Sequence, residues 1–299
     1  MTIRGYLVGC LLFFWSCFAF ILCKTIPPQK VERSCESLKI KVDELISKAQ
    51  MLQDENGWIL TDCDGMKYAA LAAVGGLPNV NLRAAELAPG QYQRRPAGGC
   101  RTTWSRDMGL GLFYYMWDRK ELGMMAEHIA YGALNHWQMG TPFDDGRVMY
   151  TPQMIGILHN MQFVLGGPDS LLKSFPGLYV SGLTGYERGL QLIGIALHGE
   201  MGEYIHDIKE IPTAIEVDPA LAMMDVSKGM FKRIKEAYDD DPKDVLAAAL
   251  YGIYAGDYSR VFDLCQNEIV PDYDRCEDGR CELTWLMFSC SRVLKRCEN

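Results

Sequence analysis

Between Ser34 and Leu52 the apolar residues Leu38, Val42, Leu45, Ile46, Ala49 and Leu52 recur every three or four positions, with charged residues between them. That spacing predicts an amphipathic surface helix. From Asp107 to Trp117 almost every residue is apolar or small, including Met108, Leu110, Leu112, Phe113 and Met116, so this stretch reads as an inner helix. Its expected outer partner runs from Glu121 to Trp137, with Leu122, Met125, Ile129, Ala133 and Trp137 on one stripe. Tyr150 to Leu165 repeats the pattern through Met154, Ile157, Leu158, Met161 and Leu165, and Gly166-Gly167-Pro168 ends it. Further helices are expected over 186–200, mostly apolar, and 219–238, amphipathic. Asp241-Pro242-x-Asp244 reads as an N-cap, a proline at the first helical position and an acid in the first turn of a helix over 245–254. A last helix is expected over 281–296, and no run alternates as a strand would. Apolar and amphipathic helices following one another, joined by Gly- and Pro-rich loops, predict an all-α fold of helical hairpins stacked round a common axis, an (α/α) toroid or an incomplete one.

The amino terminus changes the domain picture. Arg4 precedes an apolar run from Gly5 to Cys23 that meets no charge before Lys24, the pattern of a signal peptide over 1–23, with a signal anchor through residues 5–22 as the alternative. Residues 24–299 then form one helical domain, secreted or periplasmic, and in contact with a membrane only if the leader is retained. Removing the leader leaves eight cysteines: Cys35, Cys63, Cys100, Cys265, Cys276, Cys281, Cys290 and Cys297. An even number in an exported chain predicts disulfides, and eight cysteines admit 105 pairings. Five of them fall between 265 and 297, so a stapled C-terminal segment is expected, with at least one bridge to the N-terminal half. A zinc site at Cys276-x4-Cys281 is the rival reading, without a C-x2-C pair or nearby histidine to support it.

Composition excludes some functions. With 299 residues, 48% of them hydrophobic, the chain has material for a large core and is not a disordered segment. Thirty basic against 38 acidic residues give a net charge of −8, which argues against a nucleic-acid partner, and any anionic ligand requires a local basic pocket. Phosphate-binding loops, H-E-x-x-H and the G-x-S-x-G elbow are absent, and neither a cofactor nor a metal is implied. The candidate chemistry lies in polar residues set into the least polar stretches. Trp104-Ser105-Arg106-Asp107 follows a loop containing Gly98 and Gly99 at the mouth of the first inner helix, where Asp107 serves as an N-cap, as a ligand contact, or as both. A loop from Gly140 to Arg147 carries the adjacent acids Asp144 and Asp145. Tyr186-Glu187-Arg188 opens another inner helix that ends at His198-Gly199-Glu200.

Trp104-Ser105-Arg106-Asp107 resembles the W-x-R-D motif of glucoamylase-like glycoside hydrolases, whose six-hairpin toroid places inner-helix N-termini around a sugar cleft. Asp145-Gly146 and Tyr150-Thr151-Pro152-Gln153 are loosely similar to that family's R-P-Q-x-D-G segment in changed order, and Tyr186-Glu187 to its aromatic-Glu pair. The resemblance covers about residues 98–200. It implies a secreted glycoside hydrolase acting on an oligo- or polysaccharide, with Arg106 and Asp107 on the sugar hydroxyls, Trp104 as a stacking platform and Glu187 as general acid. Asp145 or Glu200, with Asp144 behind them, would be the second carboxylate, since this hydrolysis uses two carboxyl groups about 5–10 Å apart. The chain is short for twelve helices, which brings in a second resemblance: Asn135-His136-Trp137 is similar to the N-N-H-x-Y-W segment of alginate-lyase-like enzymes. A lyase on an incomplete toroid would use Asn135, His136, Arg106 and Tyr186 to neutralise a uronate and move its proton. The third expectation is a non-catalytic helical module that binds glycan or protein.

Overall fold

The computed structural model describes residues 28–101, 104–135, 142–143, 147–148, 152–166, 186–208, 231–241, 243–270, 276 and 278–298. The leader, His136, Asp144, Asp145 and the stretch 219–230 lie outside them. The described part is 69% helix and 3% strand, so the fold is all-α.

Helix α1 (Pro28–Gln50) buries Leu38, Val42, Leu45 and Ala49, as its stripe predicts, whereas Leu52 falls past the helix end and is exposed. Helix α2 (Gly65–Val74) has no counterpart among the sequence expectations; all ten of its residues are buried, and a helix apolar all round shows no amphipathic period. A 3-10 turn (Leu82–Ala85) leads into an antiparallel hairpin of β1 (Glu86–Ala88) and β2 (Gln91–Tyr92). Gly90 turns this hairpin at φ +80°, and a Cβ there would meet the Glu127 carbonyl oxygen at 2.2 Å. Helix α3 (Arg106–Asp118) is the expected inner helix, buried from Asp107 to Tyr114. In α4 (Leu122–Asn135) Met125 of the expected stripe is buried and Ile129 packs on the core, whereas Leu122 is exposed and Met124 and His128 join the buried face. A second two-stranded pair, β3 (Pro142–Phe143) and β4 (Arg147–Val148), precedes α5 (Pro152–Val164). Helix α6 (Tyr186–Ile208) runs past the expected end at Glu200.

Helix α7 covers 231–240, and α8 is Val245–Ala255. The N-cap of α8 is Asp244, whose carboxylate accepts the Ala247 N–H at 2.9 Å; Asp241 instead accepts the Lys243 N–H in the preceding turn, so the expected cap is moved three residues on. The short α9 (Ser259–Gln266) and the long α10 (Arg280–Glu298) complete the chain.

Helix α10 packs on α1, α2, α8 and α9; α3 packs on α2, α4, α5 and α6; and α6 packs on α5 and α8. The helix contacts therefore run α2 to α3 to α6 to α8 to α10 and back to α2. Gly111 of α3 lies against Lys67 and Ala70 of α2, where an added Cβ would stand 3.0 Å from the Lys67 carbonyl, so the two backbones meet because this residue lacks a side chain. Arg119, just past α3, donates to the Ala73 carbonyl near the end of α2. Tyr114 and Asp118 of α3 meet Phe288 and Lys295 of α10. Early residues meet early ones and late meet late, so α2, α3 and α10 run the same way with their N-terminal ends together.

Four disulfides join all eight cysteines of residues 24–299: Cys35–Cys297, Cys63–Cys100, Cys265–Cys290 and Cys276–Cys281. Two staple the C-terminal segment, one spans nearly the whole domain, and Cys276 and Cys281 bond each other. Such a set suits an oxidising compartment. Among the described residues no helix is long and apolar enough to cross a membrane.

Candidate functional site

The N-terminal end of α3 carries Trp104, Arg106 and Asp107, three of the residues that the sequence singles out. Ser105 has extended backbone, and its Oγ accepts the Met108 N–H, which makes Ser105 the N-cap of α3. Asp107 therefore does not cap the helix. It lies in the first turn, where the helix dipole favours an acid, and only 9% of it is exposed. Arg106 beside it is exposed.

Trp104 belongs to the core. It is 1% exposed, its ring stacks on His128 with centroids 5.2 Å apart, and it tilts against Phe113. On its other side a Cβ at Gly109 would come within 2.7 Å of the indole. The ring is enclosed by protein and does not offer the stacking platform that the motif implies.

Its partner His128 is fully buried, and Nδ1 lies 2.8 Å from the Gly90 carbonyl, to which the neutral ring donates. Burial pushes the imidazole pKa down to about 4, against the opposing pull of that hydrogen bond. The unfolded chain takes up this proton near the ordinary value of about 6.5, so the stability from neutral His128 is complete above that pH. It is lost as pH falls from 6.5 through 4. The expected loss over this window is about 3 kcal/mol. Urea midpoints at pH 7, 5 and 4 check it: His128→Gln should fall less over that range than the wild type, and parallel curves would refute the assignment.

Sequence reasoning missed Lys67. It sits in the first turn of α2, is 0% exposed, and holds Nζ 4.1 Å from the Tyr68 ring centroid. Its backbone is the surface against which Gly111 packs, and Asp107 stands one helical turn before Gly111 on the same face of α3. A buried lysine and a buried aspartate thus flank the α2–α3 contact at its N-terminal end. The available signal was a lone cation in an otherwise apolar run from Gly65 to Val74.

The loops in front of these helices are tied together. Cys63 is bonded to Cys100, Arg94 pairs with Asp64 at 2.7 Å and donates to the Cys63 carbonyl, and the Met66 N–H returns to the Arg94 carbonyl. The entrances to α2 and α3 are thereby held in one arrangement.

Glu187 lies in the first turn of α6, and the next residue, Arg188, pairs with Asp240 at the end of α7, 3.1 Å away. Glu200 follows on the same helix and pairs with Arg292 of α10. At 1.5 Å of rise per residue, Glu187 and Glu200 are separated by roughly 20 Å along the axis, so these two cannot serve as one carboxylate pair. His198, beside Glu200, is buried with Nδ1 3.3 Å from the Asn160 amide nitrogen. Among the described residues no three His, Cys, Asp or Glu side chains are placed to hold a metal ion.

Comparison with protein-family models, with curated proteins and with solved structures returned no match. The functional reading therefore rests on the residues of this chain alone.

Proposed function

We propose that this chain is a secreted carbohydrate-active protein, a glycoside hydrolase on a toroid-like ring of helices, with its site at the N-terminal ends of α2 and α3. The observation that carries the reading is the burial of Asp107 and Lys67 there, beside exposed Arg106. Charged residues are seldom buried, and a lysine and an aspartate sunk at one helix contact beside an exposed arginine make a polar centre suited to sugar hydroxyls. Capping does not account for Asp107, because Ser105 supplies the cap. The cycle of helix contacts and the shared direction of α2, α3 and α10 support the toroid-like arrangement.

In this reading Arg106 and Asp107 hold sugar hydroxyls, with Lys67 positioning Asp107. Glu187 gives its proton to the glycosidic oxygen as the bond to the anomeric carbon breaks. Asp145 is the second carboxylate, taking a proton from the attacking water or attacking the carbon itself, according to its distance from Glu187.

The test is incubation of the oxidised protein with neutral, uronic-acid and amino-sugar glycans, following reducing ends and ultraviolet absorbance together. New reducing ends without absorbance are expected, and Glu187→Gln and Asp107→Asn should each lower turnover about 100-fold or more while glycan binding persists for Glu187→Gln. Absorbance rising with the reducing ends would replace hydrolysis by elimination at a uronate. Binding without cleavage would leave a glycan-binding module, and silence in both assays would overturn the carbohydrate reading.

A further inference from the structure

The C-terminal ends of α3 and α10 gather charges that the proposed reaction does not use. Arg119 and Lys120 follow α3, Lys295 and Arg296 belong to the last turn of α10, and Arg292 lies one turn deeper, with Asp118, Glu121, Glu200 and Glu298 as the acids of the same region. Lys295 bonds Asp118 at 2.6 Å, Lys120 lies 3.8 Å over the Trp117 ring, and Arg119 donates to the Ala73 carbonyl. Five cations against four carboxylates leave this end close to balanced in a chain of net charge −8. Cations are favoured at helix C-termini by the dipole, so the four outer ones need no ligand to explain them.

Arg292 is different. Its side chain is 7% exposed, and while Nη2 meets the Glu200 carboxylate, Nε and Nη1 have no hydrogen-bond partner among the described residues. The guanidinium lies 5.0 Å from the Tyr114 ring centroid and 5.7 Å from that of Phe288. The hydroxyls of Tyr114 and of Ser289, one turn back on α10, are also buried without a hydrogen-bond partner among the described residues. Burial lowers the Arg292 pKa to about 9, with Arg296 adding to the effect, so the group remains charged at neutral pH. A buried cation with three unmet N–H bonds, packed against the Tyr114 ring and one turn from Ser289, has two further donors near it and Glu200 as its acceptor among the described residues. Native interiors seldom leave such groups unsatisfied.

We propose that Arg292, with the hydroxyls of Tyr114 and Ser289, forms a binding site for a monovalent anion, a halide ion or the carboxylate of a small molecule. The enclosure of all three side chains restricts the occupant to a small group, and charge-assisted bonds from the guanidinium supply the affinity. Glu200 competes for the same cation. This site stands apart from the N-terminal ends of α2 and α3 and does not depend on the hydrolase reading.

Thermal unfolding of the full oxidised protein tests it, at pH 7 and constant ionic strength, with the bulky sulfonate buffer anion replaced stepwise by chloride, or in a second series by acetate. A saturable rise in Tm is expected in at least one series, because an anion bound to the folded state stabilises it by mass action. Chloride acting alone would identify an ion site, and acetate acting alone a carboxylate site. Tyr114→Phe and Ser289→Ala should each raise the midpoint concentration by about threefold or more, Glu200→Gln should lower it, and Arg292→Met should abolish the response. If Arg292→Met fails to fold, the Tyr114, Ser289 and Glu200 variants still decide. A wild-type response that is absent or linear, or one that these three variants leave unchanged, overturns the site.

Discussion

Replacing Cys35 and Cys297 together by serine is expected to lower the unfolding free energy by about 5 kcal/mol, against about 2 kcal/mol for the same replacement of Cys276 and Cys281. The difference comes from the unfolded state. The first bridge joins residues 262 apart in sequence, so breaking it frees nearly the whole domain, whereas the second closes a loop between residues 5 apart. In the chain-entropy account the stabilisation grows with the logarithm of loop length. Native contacts reinforce the ranking, because Cys35 is in α1 and Cys297 at the end of α10, two helices that pack along each other. The ion pairs of Lys41 and Lys48 with Glu268 also hold α1, but they are partly exposed and add little to an anchored helix. Urea unfolding followed by far-ultraviolet circular dichroism checks the ranking: equal losses for the two double variants, or a larger loss for Cys276 and Cys281, would show that the long loop is already restricted in the unfolded chain.

Phe288→Ala is expected to cost about 3–5 kcal/mol. Phe288 is 0% exposed and stands where α10 meets both α2 and α3: its ring makes an edge contact with Tyr114 at 5.1 Å, and its backbone nitrogen is 3.0 Å from where a Gly75 Cβ would be. The helices cannot close on the space left by the ring, because Gly75 and Gly111 already bring the backbones together. The lost transfer free energy is therefore joined by the cost of a cavity. The ring also flanks Arg292, so its removal exposes a buried cation. Leu122→Ala is the control: Leu122 is 47% exposed, and its loss should change stability by less than about 0.5 kcal/mol. A Phe288→Ala variant within 1 kcal/mol or so of the wild type would mean that the junction collapses and is not rigidly packed.

The polar face of α1, the polar entrance of α3 and the Asp241-Pro242-x-Asp244 start of α8 made those helices legible in the sequence. The stripe of α1 and the small apolar run of α3 appear in the structure where the spacing places them. Helix α2 escaped because Tyr68-Ala69-Ala70-Leu71-Ala72-Ala73-Val74 is apolar on every side, leaving no contrast to read. The exposure of Leu122 in α4 has a similar origin, since Leu122, Met124 and Met125 are all apolar and only packing selects among them. At the candidate site the motif Trp104-Ser105-Arg106-Asp107 was legible as a cluster, but the division of labour within it was not. The cap fell to Ser105, burial to Trp104 and Asp107, and exposure to Arg106, as the direction in which the chain enters α3 requires.

What the sequence determined by itself is local or additive: helicity from the periodicity and the turn residues, the expectation of disulfides from the eight cysteines after residue 23, and a net charge of −8. The tertiary structure alone chose one of the 105 cysteine pairings and sank Lys41, Lys67 and Arg292 into the interior while leaving Arg106 and Lys232 in water. The physical reason is range. A helix is specified by hydrogen bonds four residues apart, so nearby residues suffice to predict it. Burial and pairing depend on which helix faces meet, and residues far apart in the chain decide that together.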